Sequence, residues 1–401
     1  MNELAFPLAM LATVIAITIV LAYVPQISQP KTPLGARVPA DKLTHPTVRS
    51  AISRYKLYVI ISGLLSAIAT AAFSTSMPII SALSTLIVTA VSIGAYISQR
   101  KRIIEVKKSE DWFKGAEFAV SGRVSGSISR QKAGDSTNIA ASHNKGSALS
   151  LSDEKLAAID ALPQPQFPWI YILLSVVSLV VSVLIVAANW GSIPQVFATH
   201  WGPNMQPDAW SNKSIGSVFF GSFISLAIVI FMAGISAVIV KAQVHNRTDR
   251  SMRGQLRTQV MLAATTTGLG VTTLALSIGF ALLQVTSVLP EYQHLMGWTF
   301  ALMMVGTLGS VIAMLIILAS NQGKADDILR GVTFGDEAKE SPDNDDFYKF
   351  GMFYYNPDDP AVLVEKRFGA GVDFNYAHWQ GKVFMAVIIA ILIGSFSLIF
   401  L

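Results

Sequence analysis

Apolar residues in this chain run in uninterrupted blocks, and the polar residues collect in the intervals between them. Eight blocks stand out: 4–23, 57–73, 79–97, 169–188, 215–240, 260–288, 298–320 and 383–401. None contains Asp, Glu, Lys, Arg or His. A helix needs about 20 apolar residues to cross the hydrocarbon core of a bilayer, so each block predicts a transmembrane helix. The blocks 215–240 and 260–288 exceed that length, which predicts tilt or extension beyond the membrane. The expected fold class is an all-α polytopic membrane protein. It has about eight transmembrane helices and a small cytoplasmic β-hairpin segment before the last of them.

Composition agrees. Of 401 residues, 52% are hydrophobic and 14% charged, against about 25% charged in soluble domains. A soluble enzyme and a disordered regulator are excluded. The absence of cysteine removes a disulfide scaffold, a thiolate zinc site and a cysteine nucleophile. The net charge of +5 informs through its distribution. Alternating connections place 24–56, 98–168, 241–259 and 321–382 on one side, with 6, 11, 5 and 7 Lys/Arg, or 29 of 30. The other side holds Lys213 alone. Basic loops mark the cytoplasmic face, which puts both termini outside. The first block is expected to be a retained helix rather than a signal peptide. Met1-Asn2-Glu3 supplies no basic leader, and no small-residue cleavage site follows Tyr23.

The blocks divide the chain into a three-span part (1–97), a cytoplasmic segment (98–168), a four-span core (169–320), a cytoplasmic hairpin module (321–382) and a last helix (383–401). Within 24–56, Val48, Ala51, Ile52 and Tyr55 fall at helical spacing beside Arg49 and Arg54, which predicts an amphipathic lead-in on the anionic inner leaflet. Residues 120–152 are rich in Ser, Gly, Ala and Asn and are expected to be a flexible linker. No aromatic platform is interleaved with its bases, so nucleic acid is not an expected partner. The run Thr265-Thr266-Thr267-Gly268-Leu269-Gly270 suits close helix packing. A chain with no ionisable residue in its spans is a poor candidate for ion-coupled transport.

The segment 189–214 is unusual. Trp190, Trp201 and Trp210 surround His200, Asn204, Asp208, Asn212 and Lys213, and Pro194, Gly202, Pro203 and Pro207 punctuate it. Aromatic anchors at a membrane edge do not need such polar company. We expect His200, Trp201, Asn204, Asp208, Trp210 and Lys213 to bind a ligand on an external surface, with turns held by Pro194 and Pro207. Ile193-Pro194, Thr199-His200-Trp201-Gly202 and Gln206-Pro207-Asp208-Ala209-Trp210-Ser211-Asn212-Lys213 resemble the short domain of unknown function that accompanies SdpI-like bacterial membrane proteins. Met205 and Ser211 stand where that pattern has glycine. The resemblance implies a bacterial plasma-membrane protein of immunity or signalling type, facing an extracellular toxic peptide. It also implies a cytoplasmic regulator or a partner membrane protein, besides the lipid bilayer.

In 345–382, the runs 350–355 and 361–364 flank Asn356-Pro357-Asp358-Asp359-Pro360 and predict a hairpin turning at Asn356, Pro357, Asp358 and Asp359. This stretch resembles a second uncharacterised bacterial module. Neither His-Glu-x-x-His nor Gly-x-Ser-x-Gly occurs, no catalytic residue emerges, and no cofactor is expected. Two further readings compete with the first. One is a transporter of a small molecule or lipid. The other is a membrane enzyme acting on envelope substrates, whose external metal site would draw on His200, Asp208, Glu291 and His294.

Overall fold

The computed structural model describes residues 5–74, 77, 79–115, 159–201, 207–241, 244, 249, 251–330, 341–369 and 371–397. The expected linker at 120–152 and the candidate Asn204 lie outside these residues. Among the described residues eight long helices follow one another: α1 Ala5–Ile27, α2 Pro46–Phe73, α3 Ile79–Ser109, α4 Trp169–Ala188, α5 Phe220–Lys241, α6 Met252–Val288, α7 Met296–Leu329 and α8 Trp379–Ser397. A one-turn helix, Ile215–Val218, precedes α5. Among the described residues six helices are long and apolar enough to cross a membrane, namely α1, α2, α4, α5, α6 and α7. Helices α3 and α8 occupy the other two apolar blocks.

Helix α6 is the hub. It packs against α4, α5 and α7, while α1 packs against α2, α3 and α7. Small residues permit the close approach. A Cβ at Gly268 would strike the Met314 side chain of α7, and one at Gly270 would strike Pro168 and Tyr171 at the start of α4. Hydroxyls then bond across the α6–α7 contact. Ser310 donates to Thr272 at 3.1 Å, and Thr286 and Thr299 lie 3.0 Å apart.

The expected amphipathic lead-in is not a separate surface helix. It is the first turns of α2, and Val48, Ala51 and Tyr55 are buried against Leu34, Ala95, Tyr96, Ile103 and Trp112. The apolar face that suggested a lipid surface is satisfied by protein, because α3 extends past the membrane-length block to meet it.

Among the described residues there are also three two-stranded antiparallel sheets. The first is a hairpin of β1 Val196–Trp201 and β2 Pro207–Asn212, which the sequence reading did not foresee. The other two lie between α7 and α8 and differ from the expected single hairpin. Strand β3 Tyr348–Lys349 pairs with β4 Phe353–Tyr354, and β5 Leu363–Glu365 pairs with β6 Val372–Phe374. The run 350–355 therefore does not pair with 361–364. The reason is local. Phe350 and Gly351 take φ of 55° and 75°, which closes a tight turn inside the first run. The Asn356 segment curls on itself instead: the Asn356 Oδ1 accepts from the Asp358 amide at 3.0 Å, and the Asp359 Oδ1 accepts from the Ala361 amide at 3.0 Å. Asn375, fully buried, clamps that loop by donating to the carbonyls of Asn356 (2.8 Å) and Asp359 (3.1 Å) and accepting from the Asn356 amide (3.1 Å).

This module closes over the basic end of the bundle. Arg367 is fully buried and donates to Asp345 at 2.5 Å and to the Gly35 carbonyl at 3.3 Å. Lys107 of α3 reaches Asp345 at 2.5 Å and Asp343 at 2.7 Å. Arg37, also fully buried, donates to the Val38 and Ser341 carbonyls. Burial raises the proton affinity of Asp345, but the nearby Arg367 and Lys107 charges, with hydrogen bonds from Lys107 and the Arg37 amide, outweigh it. Its carboxyl is held below the usual carboxylate range.

Candidate functional site

The β1–β2 hairpin stands over the ends of α4, α5 and α6 that lie away from the basic residues. Its footing is apolar. Phe197 is buried with Val186 of α4, Ile193, Val218, Val288 and Leu289. Lys213 fixes the return of the chain: its ammonium donates to the Trp190 and Ile193 carbonyls at 2.6 and 3.0 Å and lies 4.9 Å from the Trp190 ring centre. Trp190 in turn stacks on Phe219. Ser214 and Ser217 form a reciprocal capping box that starts the one-turn helix after β2. Rigid placement of the hairpin follows from these contacts.

Two irregularities bend the hairpin, so that His200 lies opposite Ala209 and Trp201 opposite Pro207. The His200 Nδ1 and an Asp208 carboxylate oxygen lie 2.5 Å apart, with the side chains 69% and 51% exposed. Between hairpin and helix ends is a cleft of about 940 Å³. Its lining is mixed: Thr199, His200, Ser211, Ser217 and Gln284 are polar, and Phe220, Phe280, Leu283, Met296 and Phe300 are apolar. Trp201 also lines it. Such an amphipathic slot, walled by fixed elements, suits a ligand with one apolar and one polar face.

Gln284 deserves mention as the polar group the sequence reading passed over. It is buried within α6 and accepts from the Ser222 amide and hydroxyl at 3.0 and 2.9 Å, while its own amide donates to the Val218 carbonyl. It thereby satisfies backbone groups where the one-turn helix breaks into α5. A lone amide in an otherwise apolar span was the available signal. Phe280, Leu283 and Phe300 gave no such signal, since apolar residues in a span look alike until packing assigns them a neighbour.

The expected site residues divide. His200 and Trp201 enter the cleft, and Asp208 joins through His200. Trp210, paired with Ala198, is exposed and outside the cleft lining. Lys213 serves the fold of the loop, as described. Pro207 opens β2, and Pro194 precedes β1. Glu291 and His294 sit in a 3₁₀ turn, Pro290–Leu295, where the His294 Nδ1 lies 3.0 Å from the Glu291 carbonyl. Among the described residues no three His, Cys, Asp or Glu side chains gather as a metal site, so the structure does not bring together His200, Asp208, Glu291 and His294.

Two family models match parts of the chain. A domain of unknown function (DUF1648) matches residues 177–226, which takes in most of α4, the hairpin and the beginning of α5. A family of unknown function (DUF5808) matches residues 357–382, the clamped loop, β5, β6 and the start of α8. No curated protein and no solved structure matches the chain.

Proposed function

We propose that this multi-pass membrane protein binds an extracellular amphipathic peptide in the hairpin cleft, giving immunity to it or sensing it, in the manner of SdpI-like bacterial membrane proteins. The observation that carries the reading is the cleft itself, whose lining joins the hydrogen-bonding Thr199, His200 and Ser211 of the hairpin to the rings of Phe220, Phe280 and Phe300 on the helices. A peptide leaving or approaching a membrane presents a polar and an apolar face. The six apolar helices, with α3 and α8 as two more crossings, would put both termini and the hairpin outside the plasma membrane of a bacterial cell. The DUF1648 match supports a membrane setting and is silent about the ligand.

Expression in a peptide-sensitive bacterium tests this. Across a series of secreted amphipathic peptides, the full chain should raise the inhibitory concentration of at least one by about tenfold, which corresponds to about 1.4 kcal/mol of selective binding. Thr199→Trp places a ring into the cleft from an exposed strand position and should abolish that protection while the protein stays abundant. Protection by no peptide, or protection indifferent to Thr199→Trp, contradicts the reading.

A further inference from the structure

A second groove runs between α2 and α3, away from the hairpin cleft. Its volume is about 610 Å³, and it is lined by residues from Tyr58 to Ala69 on α2 and from Ile80 to Val91 on α3. Its floor is small and buried, with Ser62, Ser66 and Ser84; its rims are large and exposed, with Ile61, Leu65, Leu83 and Ile87. A partner helix would need the reverse, since close helix contact places small residues outermost. Long aliphatic rims over a narrow floor suit a flexible hydrocarbon chain.

Length and charge identify the chain's source. From Tyr58 to Ala69 the helix rises about 16 Å, close to half of the roughly 30 Å hydrocarbon core. The groove therefore spans one leaflet. Its mouth is basic. Arg54 lies one turn before Tyr58 on the same face of α2, and Arg102 lies on the same face of α3 about three turns, or about 16 Å, beyond Val91, with Lys101 beside it paired to Glu105 at 3.9 Å. All three are exposed. The opposite end of the groove approaches the α2–α3 connection, 74–78, which carries no basic residue.

We propose that the α2–α3 groove binds an anionic phospholipid, with an acyl chain between the Ile and Leu rims and the headgroup phosphate on Arg54 and Arg102. The leaflet is the one on the basic side, whichever way the protein is inserted, and the site is independent of the peptide reading above.

Native mass spectrometry of the full chain in detergent, titrated with phosphatidylglycerol or phosphatidylcholine, tests the site. Phosphatidylglycerol should bind at least about tenfold more tightly, since each base near a lipid surface favours the anionic headgroup. The double variant Arg54→Gln/Arg102→Gln should erase the preference while leaving weak binding of both lipids. Ala69→Phe, which fills the far end of the groove, should weaken both lipids alike without altering the melting temperature of the lipid-free protein. Equal retention of the two lipids, or a preference that survives the double variant, overturns the proposal. So does cross-linking of a Leu65→Cys variant to itself between two copies in membranes, which would show the groove filled by a second chain. The absence of native cysteine makes that outcome unambiguous.

Discussion

The Arg37 backbone amide donates to the Asp345 carboxylate at 2.9 Å, joining the segment after α1 to the segment after α7. Arg367 and Lys107 converge on the same carboxylate at 2.5 Å. One acidic side chain thus gathers the N-terminal connection, the extension of α3 and the closing module. Thr32 reinforces the joint by donating to the Arg367 carbonyl at 3.2 Å, and Phe368 packs on Tyr96 with ring centres 4.3 Å apart.

Asp345→Asn should therefore destabilise strongly. It removes the carboxylate that Arg367 meets in full burial and one of the two that Lys107 meets, Asp343 remaining to the latter, a change worth about 3–5 kcal/mol when one partner of a buried pair is removed. The pH dependence has a definite sign. The carboxyl ordinarily titrates near 3.8 and is held lower in the fold. Its contribution is complete above about pH 5 and is lost as the pH falls further, through the folded value. Melting curves between about pH 3 and 7 should show the native protein losing stability at the acid end, with its advantage over Asp345→Asn shrinking there. A gap that is constant with pH would show that the carboxylate's charge is not what holds the joint.

The hairpin offers a contrast between scaffold and site. Lys213→Ala removes two charge-assisted hydrogen bonds to carbonyls and a ring contact, and should cost about 2–3 kcal/mol and lower abundance. His200→Ala and Asp208→Asn break a solvent-exposed pair worth at most about 1 kcal/mol. Their melting temperatures should remain within a few degrees of the native value while peptide protection falls by about tenfold or more. Stability loss in proportion to activity loss in both would assign His200 and Asp208 to scaffolding.

Orientation is tested with single cysteines. Asn212 and Asp358 are both exposed, on the hairpin and on the clamped loop. In intact cells a membrane-impermeant thiol reagent should label Asn212→Cys and spare Asp358→Cys, and both should react after permeabilisation. Labelling of Asp358→Cys alone would invert the map.

How much of this was legible in the sequence depends on which force did the organising. The bilayer demands long uncharged runs, so the eight helices could be located from the apolar blocks. The β1–β2 hairpin was hidden because its irregularities at His200 break the strict alternation by which half-buried strands are recognised. The aromatic lining of the cleft was hidden for another reason: Phe280 and Phe300 belong to different helices, and both border one cleft only because α6 packs on α7. His200 and Asp208 were legible as polar residues among tryptophans, though not as a pair, whereas Lys213 looked like a ligand group and instead holds two carbonyls. In the basic segments, counting Lys107 and Arg367 as orientation signals concealed that they converge on Asp345, which the Arg37 backbone amide also meets. Nothing in local spacing announces a contact between residues 37 and 345.

The central claim is that the hairpin cleft holds an extracellular peptide, and site-directed photocross-linking measures it most directly. A photoreactive side chain would be placed at Ser211, which lines the cleft, and separately at Asp358 on the clamped loop. The cells would then be irradiated in the presence of the peptide identified by the growth series. The account predicts a covalent adduct of one peptide mass at Ser211, abolished by Thr199→Trp and absent at Asp358. No adduct at Ser211 under protective conditions, or an adduct of equal yield at Asp358, would contradict it.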